Sequence, residues 1–351
     1  MKWTTFALRA ALVTAIFGMQ SDIAFADTVS DFYANKTLSL RIGFGPGGGY
    51  DVTARIAARR LGAHIPGHPT VVVENVPGAG GVRLLNTLYN ATTADGTIIG
   101  LTTFESTLEP LVGNEGAKFD PAKFTWLGSL HTDISSCGIW KGGGQEIKTL
   151  PDVIAAKQPV LFGSTGPQTT ISTWPLFMRN ALGAPVKVVH GYNTTNDIML
   201  AMARGEVHAV CGLFESSVRG PYRSQHQSGD LTIFLQVGLD RKVPLFGDAT
   251  QITEAVADKG DEMAQIVRFV FGPAAVARPI MAPPGVPDDR TQALRSALMK
   301  TMRDPQVVED GKKIGVDWDP MDGAEVQRQM ISLVSTPKEV LAKVSRITRE
   351  Q

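Results

Sequence analysis

One local pattern occurs four times along this chain: a short strand rich in β-branched residues, a loop of Gly, Ser or Thr, and an amphipathic helix. Strands that alternate with helices in this way predict an α/β fold with mostly parallel strands. Two units lie in the first third of the chain and two in the middle, which predicts two lobes. The four units begin with the segments "LSLRIGF" (38–44), "TVVVENV" (70–76), "PVLFGS" (159–164) and "KVVHGYN" (187–193).

Loops that follow parallel strands gather at one edge of a sheet, where open α/β folds bind ligands. Each helix that starts there offers unpaired N–H groups and a partial positive charge. The loops are therefore predicted to form an anion cradle in each lobe, and the two cradles converge on one small ligand in a cleft. The rest of the chain contains the strand-like segments "LTIFLQVG" (231–238) and "FVFGPAAVARPIMAPPGVP" (269–287), then the helical segments "RTQALRSALMKTM" (290–302) and "EVQRQMISLV" (325–334).

The first residues have the features of a secretory signal peptide. Lys2 and Arg9 precede the apolar run "AALVTAIFGM", which is too short to span a bilayer, and "AFA" at 24–26 provides a cleavage signal. This pattern predicts cleavage after Ala26 and export, in preference to an N-terminal core helix. The 34 basic and 34 acidic residues balance, and no basic stripe occurs, so a nucleic acid is not an expected partner.

The cysteines and histidines limit the possible chemistry. Cys137 and Cys211 are the only cysteines, and in an oxidising compartment they are either a disulfide or two buried thiols. Both lie in strand-like segments near the expected crossing between lobes, which favours the disulfide. His64 and His68 are four residues apart, but a Pro-Gly pair separates them, and no metal site is expected.

The loop "RIGFGPGGGYD" (41–51) has five glycines in seven positions before an acid. Glycine at this density allows backbone N–H groups to approach a ligand closely. We expect Asp51 to be the N-cap of the following helix and Gly62 to be its C-cap. In the fourth unit, Asp197 is the expected N-cap. The apolar face of the first helix is predicted to consist of Ala54, Ala57, Ala58 and Leu61.

A dinucleotide site is the first alternative for this loop. The pattern G-x-G-x-x-G occurs at Gly43, Gly45 and Gly48, after a strand and before a helix. A proline lies inside the pattern, however, and the next strand-end acid, Glu74, is further along the chain than the usual spacing of about 20 residues. An exported protein would also meet little NAD.

A hydrolase is the second alternative. The segment "FGSTG" (162–166) is similar to the nucleophile elbow G-x-S-x-G, but phenylalanine occupies the first glycine position. His190 and Asp197 would be the partners of Ser164 in a triad, although their spacing does not support it. The remaining interpretation is a binding protein without chemistry, in which backbone N–H groups and the hydroxyls of Ser164, Thr165, Thr169 and Thr170 hold a carboxylate.

Residues 32–100 resemble the N-terminal lobe of the tripartite tricarboxylate transporter substrate-binding receptors, and the resemblance covers nearly all of the predicted mature chain. The markers are P-G-G-G-x-D at 46–51 and N-x-P-G-A-G at 75–80, and "FGSTGPQTT", "VHGYNTTNDIMLAMARGEVHAV" and "MAPPGVPDDRTQAL" resemble later landmarks. In that family the first two loops hold a carboxylate through main-chain groups and waters, and loops of the second lobe contact the rest of the ligand. The resemblance implies contacts from Pro46, Gly47, Gly48, Gly49, Tyr50, Asp51, Pro77, Gly78, Ala79, Gly80, Ser164, Thr165, Thr169, Thr170, His190, Tyr192 and Asn193.

The resemblance also implies a periplasmic-binding-protein fold, with a hinge between two α/β lobes. We expect lobe 1 at 27–136 plus 236–351 and lobe 2 at 137–235. The implied protein is a periplasmic monomer without cofactor, metal or catalysis. It binds a small organic acid and delivers it to membrane permease subunits.

Further predictions concern ligand selectivity and the roles of individual residues. The loop at 164–170 departs from the family pattern S-x-G-x-G-S, so the ligand of relatives does not transfer to this chain. We expect Glu105 and Glu215 to reach the cleft rim and to disfavour a tricarboxylate. Tyr50 and Tyr192 are candidates to enclose the ligand between their rings. Packing roles are expected for Trp126, Trp140, Trp174 and Trp318.

Overall fold

The computed structural model describes residues 29–350 except 92, 143–145, 168, 239–241 and 317. The predicted signal peptide, residues 1–26, lies outside the described residues. The strands are β1 (Thr37–Ile42), β2 (Thr70–Asn75), β3 (Ile98–Leu101), β4 (Thr125–Ser129), β5 (Ser135–Trp140), β6 (Val160–Ser164), β7 (Val186–His190), β8 (Ala209–Phe214), β9 (Leu231–Gln236), β10 (Thr250–Gln251), β11 (Pro279–Ala282) and β12 (Met321–Asp322).

The helices connect these strands and cover the sheets. They are α1 (Gly49–His64), α2 (Val82–Tyr89), α3 (Leu150–Ile154), α4 (Thr170–Leu182), α5 (Thr195–Ala203), α6 (Glu215–Arg219), α7 (Arg223–Gln227), α8 (Ile252–Ala255), α9 (Gly260–Phe271), α10 (Asp288–Thr301), α11 (Pro305–Lys313), α12 (Gly323–Val334) and α13 (Lys338–Ile347). A longer 3-10 segment spans Glu105–Val112. No helix in the described ranges is long and apolar enough to cross a membrane.

Two six-stranded sheets carry the fold. The first has the order β12-β4-β11-β3-β1-β2, and the second has the order β10-β9-β5-β8-β6-β7. In the first sheet β1 is parallel to β2 and β3, and in the second β6 is parallel to β7 and β8. Strands β1, β2, β6 and β7 are the strands of the four predicted βα units. The α/β fold with two lobes is therefore confirmed.

A few strands run against the mostly parallel direction predicted for each sheet: β11 and β12 in the first sheet, and β5 in the second. Strands β11, β4 and β12 pair antiparallel in the first sheet, and β5 is antiparallel to both β8 and β9 in the second. Each sheet is thus mixed rather than parallel throughout. The reason is connectivity, because β5 and β11 are the strands with which the chain enters the next sheet, and no local crossover helix sets their direction.

The chain passes between the sheets twice in the described structure. It leaves the first sheet after β4 and enters the second at β5, and it returns between β10 and β11. The two passing segments lie side by side, because Thr132 and Val276 form an antiparallel bridge. The strands of the second sheet lie between Ser135 and Gln251. Strand β10 therefore lies beyond residue 235, the predicted end of lobe 2. The lobe boundaries at 137 and 235 stay a prediction.

The apolar core continues from one lobe to the other around Phe271 in α9. Its ring contacts Trp174, with centroids 5.1 Å apart, and Phe177, with centroids 5.0 Å apart, both in α4. Trp126 and Trp174 are fully buried, and Trp140 and Trp318 pack at the edges of core clusters. The packing roles predicted for the four tryptophans are confirmed.

Two local expectations from sequence are wrong. The segment 269–271 is the last turn of α9 and not a strand, because this part of the helix is buried among neighbours and its continuous apolar run hides the helical period. Gly62 lies inside α1 and is not its C-cap. A Cβ at this position would lie 2.3 Å from the carbonyl oxygen of Pro69, so glycine is needed there for close backbone approach.

The predicted disulfide is confirmed. Cys137 of β5 and Cys211 of β8 face each other in the antiparallel ladder, and a bond joins their sulfur atoms. Both residues are completely buried. The disulfide therefore links two central strands of the second sheet, β5 and β8, covalently.

Candidate functional site

The first glycine loop connects β1 to α1, and the structure corrects the expected role of Asp51. Gly48 is the N-cap, and Asp51 is the third residue of the helix. The Asp51 carboxylate accepts hydrogen bonds from the Gly47 N–H at 2.9 Å and from the Asn75 amide at 2.8 Å. It also accepts one from Arg55 at 3.0 Å. Asp51 thus fastens the loop from inside the helix.

These contacts determine the charge of Asp51. Burial acts to raise the pKa of this carboxyl, but hydrogen bonds from Arg55, Gly47 and Asn75 outweigh burial and hold the pKa below its usual value. Asp51 is therefore ionised at neutral pH. The Gly47 N–H already has an acceptor within the protein, which leaves the other N–H groups of the loop as the main candidates for ligand contact.

The second loop, which follows β2, lies against the first. The Asn75 amide donates to the Phe44 carbonyl at 2.9 Å as well as to Asp51, so one side chain joins both loops. A Cβ on Gly43 would lie 3.1 Å from the Cα of Gly81, which shows how closely the two backbones approach. The Ser106 hydroxyl donates to the carbonyl oxygen of Gly80. The first-lobe loops are thus held as one unit.

The loop after β6 forms the facing side of the site. Ser164 is buried, and its hydroxyl hydrogen-bonds with the backbone of Gly166. The Thr169 hydroxyl donates to the Gly166 carbonyl at 2.9 Å, and Thr169 is the N-cap of α4. A Cβ on Gly80 would lie 3.4 Å from Cγ2 of Thr169. Loops from the two sheets therefore meet at this point.

The segment after β7 lies beside the same loop. The Tyr192 N–H donates to the Ser164 carbonyl at 3.3 Å, and His190 Nε2 lies 3.1 Å from Oε1 of Glu350. The Tyr192 ring packs on the core of the second lobe. The described structure has no ring contact between Tyr192 and Tyr50, so an aromatic enclosure by these two rings stays a prediction.

The predicted contact residues differ in how accessible they are. Asp51 and Ser164 are buried and act through hydrogen bonds within the loops. Gly48, Tyr50, Gly80, Thr165, Thr169, Thr170, His190 and Tyr192 are partly buried, and Pro46, Gly47, Gly49, Pro77, Gly78, Ala79 and Asn193 are exposed.

The structure does not assemble the hydrolase triad. The Ser164 hydroxyl is engaged with Gly166, and His190 contacts Glu350. Asp197 is not the N-cap of α5 as expected. It occupies the third helical position in a capping box with Thr194, the actual N-cap.

The acid expected to complete a dinucleotide site, Glu74, is ion-paired with Arg41 at 3.2 Å. Within the described ranges, no group of three or more His, Cys, Asp or Glu side chains could hold a metal ion. The fold therefore brings together loops suited to binding, and neither the triad nor the ribose contact is formed by these residues.

Of the two acids expected at the rim, Glu105 faces a pocket between the lobes. Thr170 of α4 lines the same pocket. Burial raises the pKa of Glu105 to about 7, against the hydrogen bonds that act to lower it. Glu215 instead pairs with Arg219, one turn along its own helix. Further lining residues of the pocket are Leu108, Glu109, Thr173, Phe269 and Arg349.

Glu109 makes the stability of the protein depend on pH. Burial raises the pKa of Glu109 to about 7, although Asn114 donates to its carboxylate at 3.0 Å and Arg349 attracts it. Between about pH 4.5 and about pH 7, Glu109 is therefore protonated in the folded state and ionised in the unfolded state. The stability that is fully present below about pH 4.5 is lost as pH rises through about 7.

The unfolding free energy of the wild-type protein is expected to fall as pH rises from about 5 to about 8. In the Glu109→Gln variant this fall should be smaller by about 2 kcal/mol. Urea denaturation at both pH values measures this difference. The exposed Glu339→Gln variant should keep the wild-type pH dependence. An identical pH dependence in wild type and Glu109→Gln would contradict the prediction.

Two residues that reach the site are not identifiable as site residues from the patterns above. Arg278, just before β11, is 4% exposed, and its guanidinium carbon lies 5.9 Å from the ring centroid of Tyr50 and 5.2 Å from that of Phe214. The available signal is a lone arginine within the apolar run "AAVARPIMA". Phe214 gives no such signal, because a phenylalanine that ends an apolar strand is typical of core.

Comparison with known proteins agrees with this architecture. A UPF0065 protein of Bordetella pertussis is 26% identical over 330 residues, which is 90% of each chain. Periplasmic binding protein BugD has a similar structure, with a TM-score of 0.66 and 20% identity over 91% of this chain and 100% of that chain.

Two solved structures with similar folds contain organic acids. Rhodopseudomonas palustris MatC with bound malate has a TM-score of 0.61 and 16% identity over 90% of this chain and 99% of that chain. R. palustris Rpa4515 with adipate has a TM-score of 0.64 and 17% identity, over 89% of this chain and 97% of that chain. At these identities the likeness shows the fold, and the predicted periplasmic-binding-protein fold is confirmed.

The family model described as tripartite tricarboxylate transporter family receptor matches residues 54–345. This match covers most of the chain and contains the second-lobe loops as well as most of the first lobe. The chain therefore belongs to the tripartite tricarboxylate transporter receptor family.

Proposed function

We propose that this protein is a periplasmic receptor that binds one small organic carboxylate between its lobes. The observation that carries the proposal is the meeting of glycine-rich and hydroxyl-rich loops from two different sheets, at Gly80 and Thr169. Family membership and the acids bound by two proteins of similar fold, malate and adipate, support the ligand class.

In this proposal the ligand contacts backbone N–H groups of both lobes. The loops at 46–51 and 77–80 hold one carboxylate, because free N–H donors and the N-terminus of α1 favour an anion. The loop at 164–170 and residues 190–193 contact the remainder of the ligand. A ligand held by both lobes stabilises the closed arrangement by the difference between its affinities for the closed and open forms.

The proposal also covers the cellular role. The protein is exported with cleavage after Ala26, acts as a monomer, and delivers its ligand to the membrane subunits of a tripartite transporter. It performs no catalysis and needs no cofactor. Support for this role comes from the family match and from the signal-peptide pattern of the sequence.

A thermal-shift screen tests the ligand class. Mono-, di- and tricarboxylic acids of two to six carbons, malate and adipate included, are added to the purified mature protein. An acid at about 100 times its Kd stabilises a protein by about 2.7 kcal/mol, which corresponds to a rise in Tm of roughly 5 °C. The neutral, fully amidated forms of the same acids serve as controls and should give no rise.

The screen also tests the expectation for Glu105. A buried carboxyl beside the ligand site repels an additional ligand carboxylate once it is ionised, so citrate should stabilise the protein less than mono- or dicarboxylates do. A larger rise with citrate would contradict this expectation. If no acid raises Tm, or if the neutral amides raise it equally, the carboxylate receptor itself is contradicted.

A further inference from the structure

Arg278 occupies an unusual position at the junction of the two lobes. Its N–H donates to the Ser129 hydroxyl at 3.2 Å, and its carbonyl accepts from the Leu130 N–H at 3.0 Å. These bonds fix the backbone of Arg278 beside the segment with which the chain leaves the first sheet. Val276, two residues earlier, bridges to Thr132 in the same passing segment.

The side chain lies between ligand-facing ends of the two sheets. Tyr50 is in the first turn of α1, after β1, and Phe214 is the last residue of β8. The Arg278 guanidinium carbon is 5.9 Å and 5.2 Å from these two ring centroids, so it lies between an aromatic residue of each lobe. Tyr50 itself belongs to the loop that is proposed to hold a carboxylate.

The guanidinium lacks the hydrogen bonds that a buried charge needs. Arg278 is 4% exposed, and its buried Nε and Nη1 atoms have no hydrogen-bond partner in the described structure. Aromatic faces attract a cation but accept N–H groups weakly. A buried charge without an ionic partner destabilises the protein, so an anion that reached these donors would bind strongly.

The nearby carboxylates are engaged elsewhere. Asp133 accepts from the Ser216 hydroxyl at 2.6 Å and lies 3.3 Å from His131 Nε2. Glu105 faces the pocket that Thr170 and Thr173 of α4 also line. Burial and the charges of Glu105 and Asp133 raise the pKa of Tyr50, and the charge of Arg278 acts to lower it. The carboxylates of Asp133 and Glu105 do not pair with Arg278.

We propose that Arg278 anchors the ligand by donating its guanidinium N–H groups to one ligand carboxylate. This inference rests on the proposed carboxylate-receptor function. It adds a cationic side chain to the backbone N–H groups that are proposed to bind the ligand carboxylate. A guanidinium binds a carboxylate through charge-assisted hydrogen bonds and gains much less from the neutral amide of the same shape. Arg278 therefore selects an anionic end group in the ligand.

The first test compares acids with their amides on the wild-type protein. The acid that gives the largest thermal shift in the screen is titrated by calorimetry beside its monoamide and diamide. The diamide should bind about 100-fold more weakly than the acid, because a charged hydrogen-bonded pair is lost. Equal affinity for acid and diamide would overturn the proposal without any mutation.

The second test uses Arg278→Met and Arg278→Lys, with Arg290→Met as the matched control. The Arg290 guanidinium also lies over an aromatic ring, 3.5 Å from the Phe32 centroid, and its Nη1 donates to the Asp95 carbonyl. Arg278→Met should lose about 100-fold in affinity for the acid and Arg278→Lys about tenfold, while Arg290→Met keeps wild-type affinity.

Stability separates binding from a packing role for Arg278. Without ligand, Arg278→Met should melt at or above the wild-type temperature, because an uncompensated buried charge is removed. A lower Tm with unchanged affinity would assign Arg278 to packing and overturn the proposal, while the receptor function would stand. Binding of no acid from the screen to the wild-type protein would overturn the receptor function and this inference together.

Discussion

Gly48→Val is expected to abolish binding of the acid that stabilises the wild-type protein, with a Tm within about 2 °C of wild type. The backbone of Gly48 is extended, at φ −76° and ψ 167°, which any L-residue adopts. The nearest atom to a Cβ there is the Gly45 carbonyl oxygen, at 3.9 Å. The fold therefore tolerates the side chain. The isopropyl group, however, covers the N-terminus of α1, where the ligand carboxylate is proposed to lie.

Two further variants make this experiment specific. Gly48→Ala adds a single methyl group and should weaken binding less than valine does. Gly45→Val is in the same loop, outside the predicted contacts, and its Cβ would have no neighbour within 4 Å, so it should bind normally. Wild-type affinity in a normally folded Gly48→Val variant would show that this loop is not the ligand site.

Loss of the disulfide is expected to cost about 4 kcal/mol of unfolding free energy. Cys137 and Cys211 are 74 residues apart in sequence, so their bond closes a long loop and restricts the unfolded chain strongly. Both are buried in the core, and a Cys137→Ala/Cys211→Ala double variant retains small apolar side chains at both positions. Urea denaturation of the mature protein, followed by its intrinsic tryptophan fluorescence, measures the change.

Reduced wild-type protein is the control for this experiment. Reductant should lower the denaturation midpoint of the wild type to about that of the double variant and leave the midpoint of the double variant unchanged. Equal midpoints for oxidised wild type and double variant would contradict a stabilising role of the bond.

The βα units were predictable because their signals are local. In α1 the face formed by Ala54, Ala57, Ala58 and Leu61 is buried as the 3.6-residue period predicts. The glycine loop before it and the β-branched strand before that lie within one continuous segment. By contrast, the antiparallel pairing of β5 and β11 depends on how the chain passes between the sheets, and no periodicity encodes that path.

The positions of the loops in the candidate site follow from sequence, but the hydrogen bonds within those loops do not. An acid near a helix start signals a cap, but sequence does not distinguish the N-cap from the third helical position, where Asp51 and Asp197 lie. Arg278 approaches Tyr50 only because a much later segment of the chain returns to the first sheet. A contact of this kind follows from the tertiary fold.

Titration calorimetry of the mature protein, with the acid that gives the largest thermal shift, is the decisive measurement for the proposed receptor. We expect one acid bound per chain and recovery of the acid chemically unchanged after the protein is removed. Absence of binding for every acid in the screen, or conversion of the acid to a product, would contradict a receptor that binds an organic carboxylate without chemistry.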